Sequence, residues 1–186
     1  MKGYRVSELA KPRGYVSLAM EVASSEGTKI HADLAEIYQS RGRHIEEFQL
    51  CWLTTSLSPS YSPILGYVSG HPDMWEVKGN TLHVVDWKTI PPHKKPVPEK
   101  WWWDQLMWYA YQILINHPTL GIRKIKLALW IYNRKVGFDA KTAPYTLYEI
   151  SISPSKLKAI MQALVLSKIG KGMKLVPSDW GVIKHA

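Results

Sequence analysis

"GHPDMWEVKGNTLHVVDWKT", residues 70–89, decides how the chain is read. Apolar and polar residues alternate on both sides of Gly79-Asn80, a pair that favours a two-residue hairpin turn. With the turn there, Lys78 faces Thr81, Val77 faces Leu82, Trp75 faces Val84 and Asp73 faces Asp86. Residues opposed in this way have Cβ atoms roughly 5 Å apart. Two carboxylates so placed repel unless a cation sits between them. Period-two alternation also puts Lys88 on the face of Asp86. A turn centred on Lys78-Gly79 would shift the register and part the two acids.

One face of one hairpin thus carries Asp73, Asp86 and Lys88. That set suits a divalent ion clamped by two carboxylates, with an ammonium alongside. Such an ion lowers the pKa of water and neutralises charge on a phosphate. The lysine can orient the water or stabilise an oxyanion. The plainer alternative is that Asp73 ends a turn and Asp86 pairs with Lys88 at a strand end.

Outward from the hairpin, Ile30, Leu34, Ile37 and Tyr38 give a helical stripe over about 27–40. "FQLCWLTTS" and "PILGYVSG" read as strands joined by the turn "LSPSYSP". "PPHKKPVPEK" cannot be helix or central strand. "WWWDQLMWYAYQILINH" is a long helix ended at His117-Pro118. "RKIKLALWIY" and "YTLYEIS" read as strands. "SPSKLKAIMQALVLSKIG" is a helix with Ser153 as N-cap, Pro154 in the first turn and Gly170 at the C-cap. The tail "KGMKLVPSDWGVIKHA" reads as mostly irregular. The blocks run α, three strands, α, one or two strands, α. This predicts an α/β (α+β) fold with a central mixed sheet flanked by helices.

The chain has 186 residues, 46% of them apolar. That length fits one domain over 1–186 with a real core and excludes a disordered polymer. No run reaches the roughly 18 apolar residues that span a bilayer, so no membrane partner is expected. "MKGYRVSELAKPRG" lacks the apolar core of a signal peptide, so a cytoplasmic protein is expected. The single cysteine, Cys51, cannot build a zinc or iron–sulfur site alone. Any metal is then held by oxygen and imidazole, which favours Mg²⁺ or Mn²⁺ where carboxylates dominate. The formal net charge of +9 attracts polyanions, nucleic acid first. The basic residues are scattered, as on any solvated surface. Self-association as a homo-oligomer is left open.

Four motifs now stand in series. Gly70-His71-Pro72-Asp73 followed by Asp86-Trp87-Lys88 resembles the signature of the PD-(D/E)XK nuclease superfamily. Gln105-Leu106-Met107-Trp108-Tyr109 resembles the Gln-x-x-x-Tyr motif of its RecB-type branch. Gly27-Thr28-Lys29-Ile30-His31 resembles that branch's helix-borne histidine. The match runs in order over about 5–131. It implies a restriction-endonuclease-like core of order αβββαβ and a metal-dependent DNA nuclease. His31, Asp73, Asp86 and the main-chain carbonyl of Trp87 would bind Mg²⁺ or Mn²⁺. Lys88 would be the catalytic lysine, and Gln105 with Tyr109 would position the DNA strand. Physics agrees on that pair, since i and i+4 share a helix face. The plainer reading packs Tyr109 in the core with Gln105 at its edge. For His31 it is an ordinary hydrogen-bonded helix histidine, with Asp33 and Glu36 as acids on other faces.

Many RecB-type nucleases carry a four-cysteine iron–sulfur cluster. Here Lys11 stands where its first cysteine would be, and "VPSDWGVIK" has no cysteine pair. The chain therefore resembles a cluster-free member, similar to the lambda-type and CRISPR-adaptation exonucleases, with no iron–sulfur cluster. Tail docking then falls to packing, with Trp180 the candidate. Exonuclease action at DNA ends is the first expectation. A structure-specific endonuclease, or a non-catalytic nucleic-acid-binding protein of the same fold, is the alternative. Trp101, Trp102 and Trp103 point about 100° apart, so they cannot all be core. They either stack on unpaired bases or cap the helix start against the prolines.

Overall fold

The computed structural model describes residues 2–10, 18–55, 64–134, 138–168 and 173–176. The predicted turn at 57–63, the Gly170 cap and Trp180 lie outside them.

The hairpin forms as predicted. Strands β5 (Met74–Lys78) and β6 (Thr81–Ile90) pair antiparallel, with Lys78 opposite Thr81, Trp75 opposite Val84 and Met74 opposite Val85. Gly79 sits at φ 62°, a conformation that glycine adopts without penalty. Strand β2 (Arg43–Ile45) lies outside β5. On the other side β6 runs parallel to β7 (Lys124–Asn133), which pairs antiparallel with β8 (Tyr145–Ile152). The sheet order is β2-β5-β6-β7-β8. The second sheet has the order β1-β4-β3-β9, built from β1 (Lys2–Arg5), β3 (Gln49–Thr55), β4 (Ile64–Gly70) and β9 (Met173–Val176).

The fold is a mixed α/β arrangement: two mixed sheets flanked by helices. The sequence suggested one sheet. The split arises because β3 and β4 pair with each other and take short partners, β1 and β9, too brief to signal themselves. Five strands, not three, separate the first long helix from the next. The hairpin counts as two, and the three-residue β2 adds the fifth.

Helix α1 (Val6–Ala10) follows β1, and α2 (Leu18–Tyr38) starts earlier than the stripe suggested. Helix α3 (Lys100–Asn116) is apolar nearly all round, and such a helix must be buried. It is: Leu106, Trp108 and Ile113 meet Cys51, Leu53 and Val68 of one sheet and Val84, Leu127 and Leu129 of the other. Helix α4 (Pro154–Lys168) joins this core through Leu157, Met161 and Val165. Ser153 caps it, accepting from the Lys156 N–H at 3.2 Å. On the opposite face of the hairpin sheet, Ile30 and Leu34 of α2 pack with Met74, Val85, Trp87 and Tyr132. Alternation along β6 therefore turns Val84, Asp86 and Lys88 toward α3, and Val85 and Trp87 toward α2.

Candidate metal and catalytic site

Asp73 stands one residue beyond the last ladder pair, Met74 with Val85, which brings it beside Asp86. Both are buried. The Asp73 carboxylate spans two neighbours. Its Oδ2 accepts the Trp87 backbone N–H at 2.6 Å, and its Oδ1 lies 3.1 Å from His31 Nδ1. In an extended strand the N–H and C=O of one residue leave on the same edge. The Trp87 carbonyl therefore faces the Asp73 side, while its indole is sealed in the core. His31 reaches the site because Ile30 and Leu34 fix the helix on the sheet. Gly27 keeps that approach close: a Cβ there would stand 3.3 Å from Thr89 Oγ1.

On the α3 side the side chains form a connected chain. Lys88 Nζ lies 2.6 Å from Asp86 Oδ2 and donates to Gln105 Oε1 at 3.0 Å. Gln105 Nε2 donates to the Tyr109 hydroxyl at 2.9 Å. Lys88 is flanked by the rings of Trp101 and Trp102, 5.4 and 5.9 Å from their centres. Every residue singled out in the sequence meets here: His31, Asp73, Asp86, Trp87, Lys88, Gln105 and Tyr109. Two plainer readings also hold in part. Asp86 does pair with Lys88, and the Tyr109 ring is largely buried. Of the three tryptophans, Trp102 is buried while Trp101 and Trp103 are half-buried against the core. Trp101 donates from its indole to Glu99 at 2.6 Å.

Burial pushes the Asp86 pKa up to about 6, with the charge of Asp73 adding and that of Lys88 opposing. For His31, burial pulls the pKa down. The charge and hydrogen bond of Asp73, with Asp86 behind it, outweigh that and leave it raised. Burial, then the negative Asp86, holds the Tyr109 hydroxyl protonated far above neutrality. Cys51 is fully buried in β3, its thiol pushed up to about 12 by desolvation, so it is packing rather than chemistry.

The donor set fits a divalent cation. Asp86 Oδ2 is buried without a well-directed hydrogen bond, because Lys88 approaches it closely but off-line. The Lys88 ammonium is its charge partner, and the oxygen keeps acceptor capacity for a further cation. Two carboxylates and an imidazole suit Mg²⁺ or Mn²⁺.

Glu46 gave no signal in the sequence, and Gly70 and His71 stood there only as part of the Asp73 motif, without a role. Glu46, just after β2, has a metal-ligating atom within 4.8 Å of those of His31 and Asp73. His71 Nδ1 contacts the Glu46 carbonyl at 3.0 Å. Gly70 leaves room for Tyr109: a Cβ at 70 would lie 2.6 Å from the tyrosine ring and 2.9 Å from Val6 Cγ2. Nothing in one sequence marks Glu46, since its contacts are 15 and 27 residues away. Gly70, next to the Asp73 motif, was the available signal. Gly70→Ala is expected to cost about 1–3 kcal/mol through overpacking and to push Tyr109 off Gln105. Urea unfolding reads the first effect. Unchanged stability would mean the Tyr109 ring yields freely.

No family model matches the chain, and no curated protein matches it. Among solved structures it is similar to the crystal structure of SSO0001, with a TM-score of 0.56 and 16% identity, covering 89% of this chain and 76% of that one. At that identity the likeness shows the fold alone. No described helix is long and apolar enough to cross a membrane.

Proposed function

We propose that this chain is a Mg²⁺- or Mn²⁺-dependent deoxyribonuclease of the PD-(D/E)XK superfamily, RecB-type branch, acting as an exonuclease at DNA ends. One observation carries the reading. Side chains from the first long helix, the hairpin and α3 converge in two adjoining sets, His31–Asp73 on one flank and Asp86–Lys88–Gln105–Tyr109 on the other. A strand-end salt bridge alone needs neither His31 nor Gln105.

A divalent cation bound by His31, Asp73, Asp86 and the Trp87 carbonyl supplies charge neutralisation at the phosphate and lowers the pKa of water. The chain's own groups do the rest. Gln105 holds the Lys88 ammonium in place, and Lys88 donates to the phosphate oxygen on which charge develops. Water adds to phosphorus and releases a proton to solvent, the P–O ester bond breaks, and the departing sugar oxygen takes a proton from solvent. Tyr109, held protonated, orients Gln105. The loop before α3, with exposed Lys94 and Lys95, and the neighbouring Trp101 offer a basic, aromatic approach for the strand.

Linear and covalently closed circular DNA, each incubated with Mn²⁺ or with EDTA, test this. Linear DNA is expected to shorten only with Mn²⁺, and the circle to survive. Cutting of the circle would favour a structure-specific endonuclease. Binding in EDTA without cleavage on adding Mn²⁺ would favour a non-catalytic DNA-binding protein.

A further inference from the structure

We infer that Glu46 is an additional ligand, completing with His31 and Asp73 a cation position on the solvent side of the site, suited to Mn²⁺. The inference rests on the metal-dependent reading above and extends it to a residue outside the sequence motifs.

The three ligating atoms lie within 4.8 Å of one another, the spread that ligands around one ion can close. They come from three places: α2, the residue after β2, and the residue before β5. His31 and Asp73 are half-buried and buried, so their positions are set by packing, whereas Glu46 is exposed. Its backbone is not free. The Glu46 N–H donates to the Asp73 carbonyl at 3.1 Å, and the Glu46 carbonyl meets His71 Nδ1 at 3.0 Å. Both ends of the residue are thus tied to the segment that bears Asp73. Glu46 is the one non-glycine residue at positive φ, 47°, among those described. A glutamate held there is strained, and strain kept in place by flanking bonds is typical of functional positions.

The neighbouring carboxylate adds to the negative charge a cation would offset. Asp86 is buried across from Asp73, and its Oδ2 lacks a directed donor. With Glu46 and Asp73, Asp86 makes three carboxylates at the site against the one ammonium of Lys88, which is already paired with Asp86. The ligand chemistry narrows the ion. Two carboxylates suit Mg²⁺ or Mn²⁺, and of the two Mn²⁺ accepts the imidazole more readily.

Calorimetric titration of metal-stripped protein with Mn²⁺ tests the assignment, using wild type, Glu46→Gln, Glu46→Gly and Asp86→Asn. Glu46→Gln removes the charge and keeps the shape. It is expected to weaken Mn²⁺ binding by about tenfold or more. Glu46→Gly should weaken it equally, yet melt higher in EDTA, because glycine suits that φ. A purely structural Glu46 would not give this split. If both Glu46 variants bind Mn²⁺ like wild type while Asp86→Asn binds it weakly, Glu46 is no ligand and the metal site itself stands. If wild type binds no Mn²⁺, the metal-dependent reading falls, and this inference with it.

Discussion

Asp86→Asn protein is expected to lose cleavage by about 10³-fold or more, while its DNA affinity stays within about threefold. Each factor of ten in rate corresponds to about 1.36 kcal/mol of barrier, and a cation's stabilisation of a phosphoryl transition state amounts to several kcal/mol. The amide keeps the shape of the side chain but not the charge that holds the ion. On the proposed reading DNA affinity would come from the basic surface, which the change leaves alone. The same substitution should raise the melting temperature of the metal-free protein at pH 7.5. The sign follows from protons. The folded-state pKa of Asp86 is raised from 3.8 to about 6, so between those values the folded protein holds more of the proton than the unfolded chain. Stability from this group is present below about pH 4 and is lost as pH rises through about 6. Wild type in EDTA therefore carries the full penalty at pH 7.5 and little of it at pH 4. The gap between variant and wild type should shrink on acidification, though Lys88, left without its partner, offsets part of the gain. Near-normal cleavage by Asp86→Asn protein would remove Asp86 from the chemistry.

Lys88→Ala should lower the single-turnover rate by about 10²- to 10³-fold with little change in DNA affinity. Those are the losses seen when one preorganised donor to a developing oxyanion is deleted. The ammonium matters most where charge develops, so the effect belongs to the rate and not to binding. Removing it also leaves Asp86 without its cation partner, which pushes that carboxyl further up. The pH at which Mn²⁺ binding sets in should move upward with it. Lys88→Met is the companion variant, because it keeps the alkyl stem beside Trp101 and Trp102. Equal rate loss in both variants assigns the effect to charge. A rate restored in Lys88→Met would assign it to packing.

The hairpin was legible because its information is local. Gly79-Asn80 sets the turn, alternation sets the faces, and the register follows by counting. The α3 site residues were legible for a similar reason, since spacing of four puts Gln105 and Tyr109 on one side of any helix. The division into two sheets was not legible. Which neighbour β3 and β4 choose depends on β1 and β9, each of four residues, whose pairing is decided by the rest of the fold. Glu46 was hidden likewise. It follows a three-residue strand, and the role inferred for it depends on its nearness to His31 and its bonds to the 71–73 segment. The tryptophan triplet gave a half-answer: geometry forbade three core rings, and the structure buries one and half-buries two.

The parallel ladder of β6 and β7 runs unbroken from Thr81–Lys124 to Ile90–Asn133, and β5 covers the other edge of β6. Asp86 and Lys88 therefore stand on a wall that cannot shift without dismantling the sheet. The facing wall is of another kind. Glu46 sits in a bend after a three-residue strand, and residues 91–99 form an irregular loop. A change in that loop can reshape its surface without disturbing the ladder that carries Asp86 and Lys88. Substitutions in residues 91–99 are thus free to alter what touches the chain there while the bench beneath stays untouched.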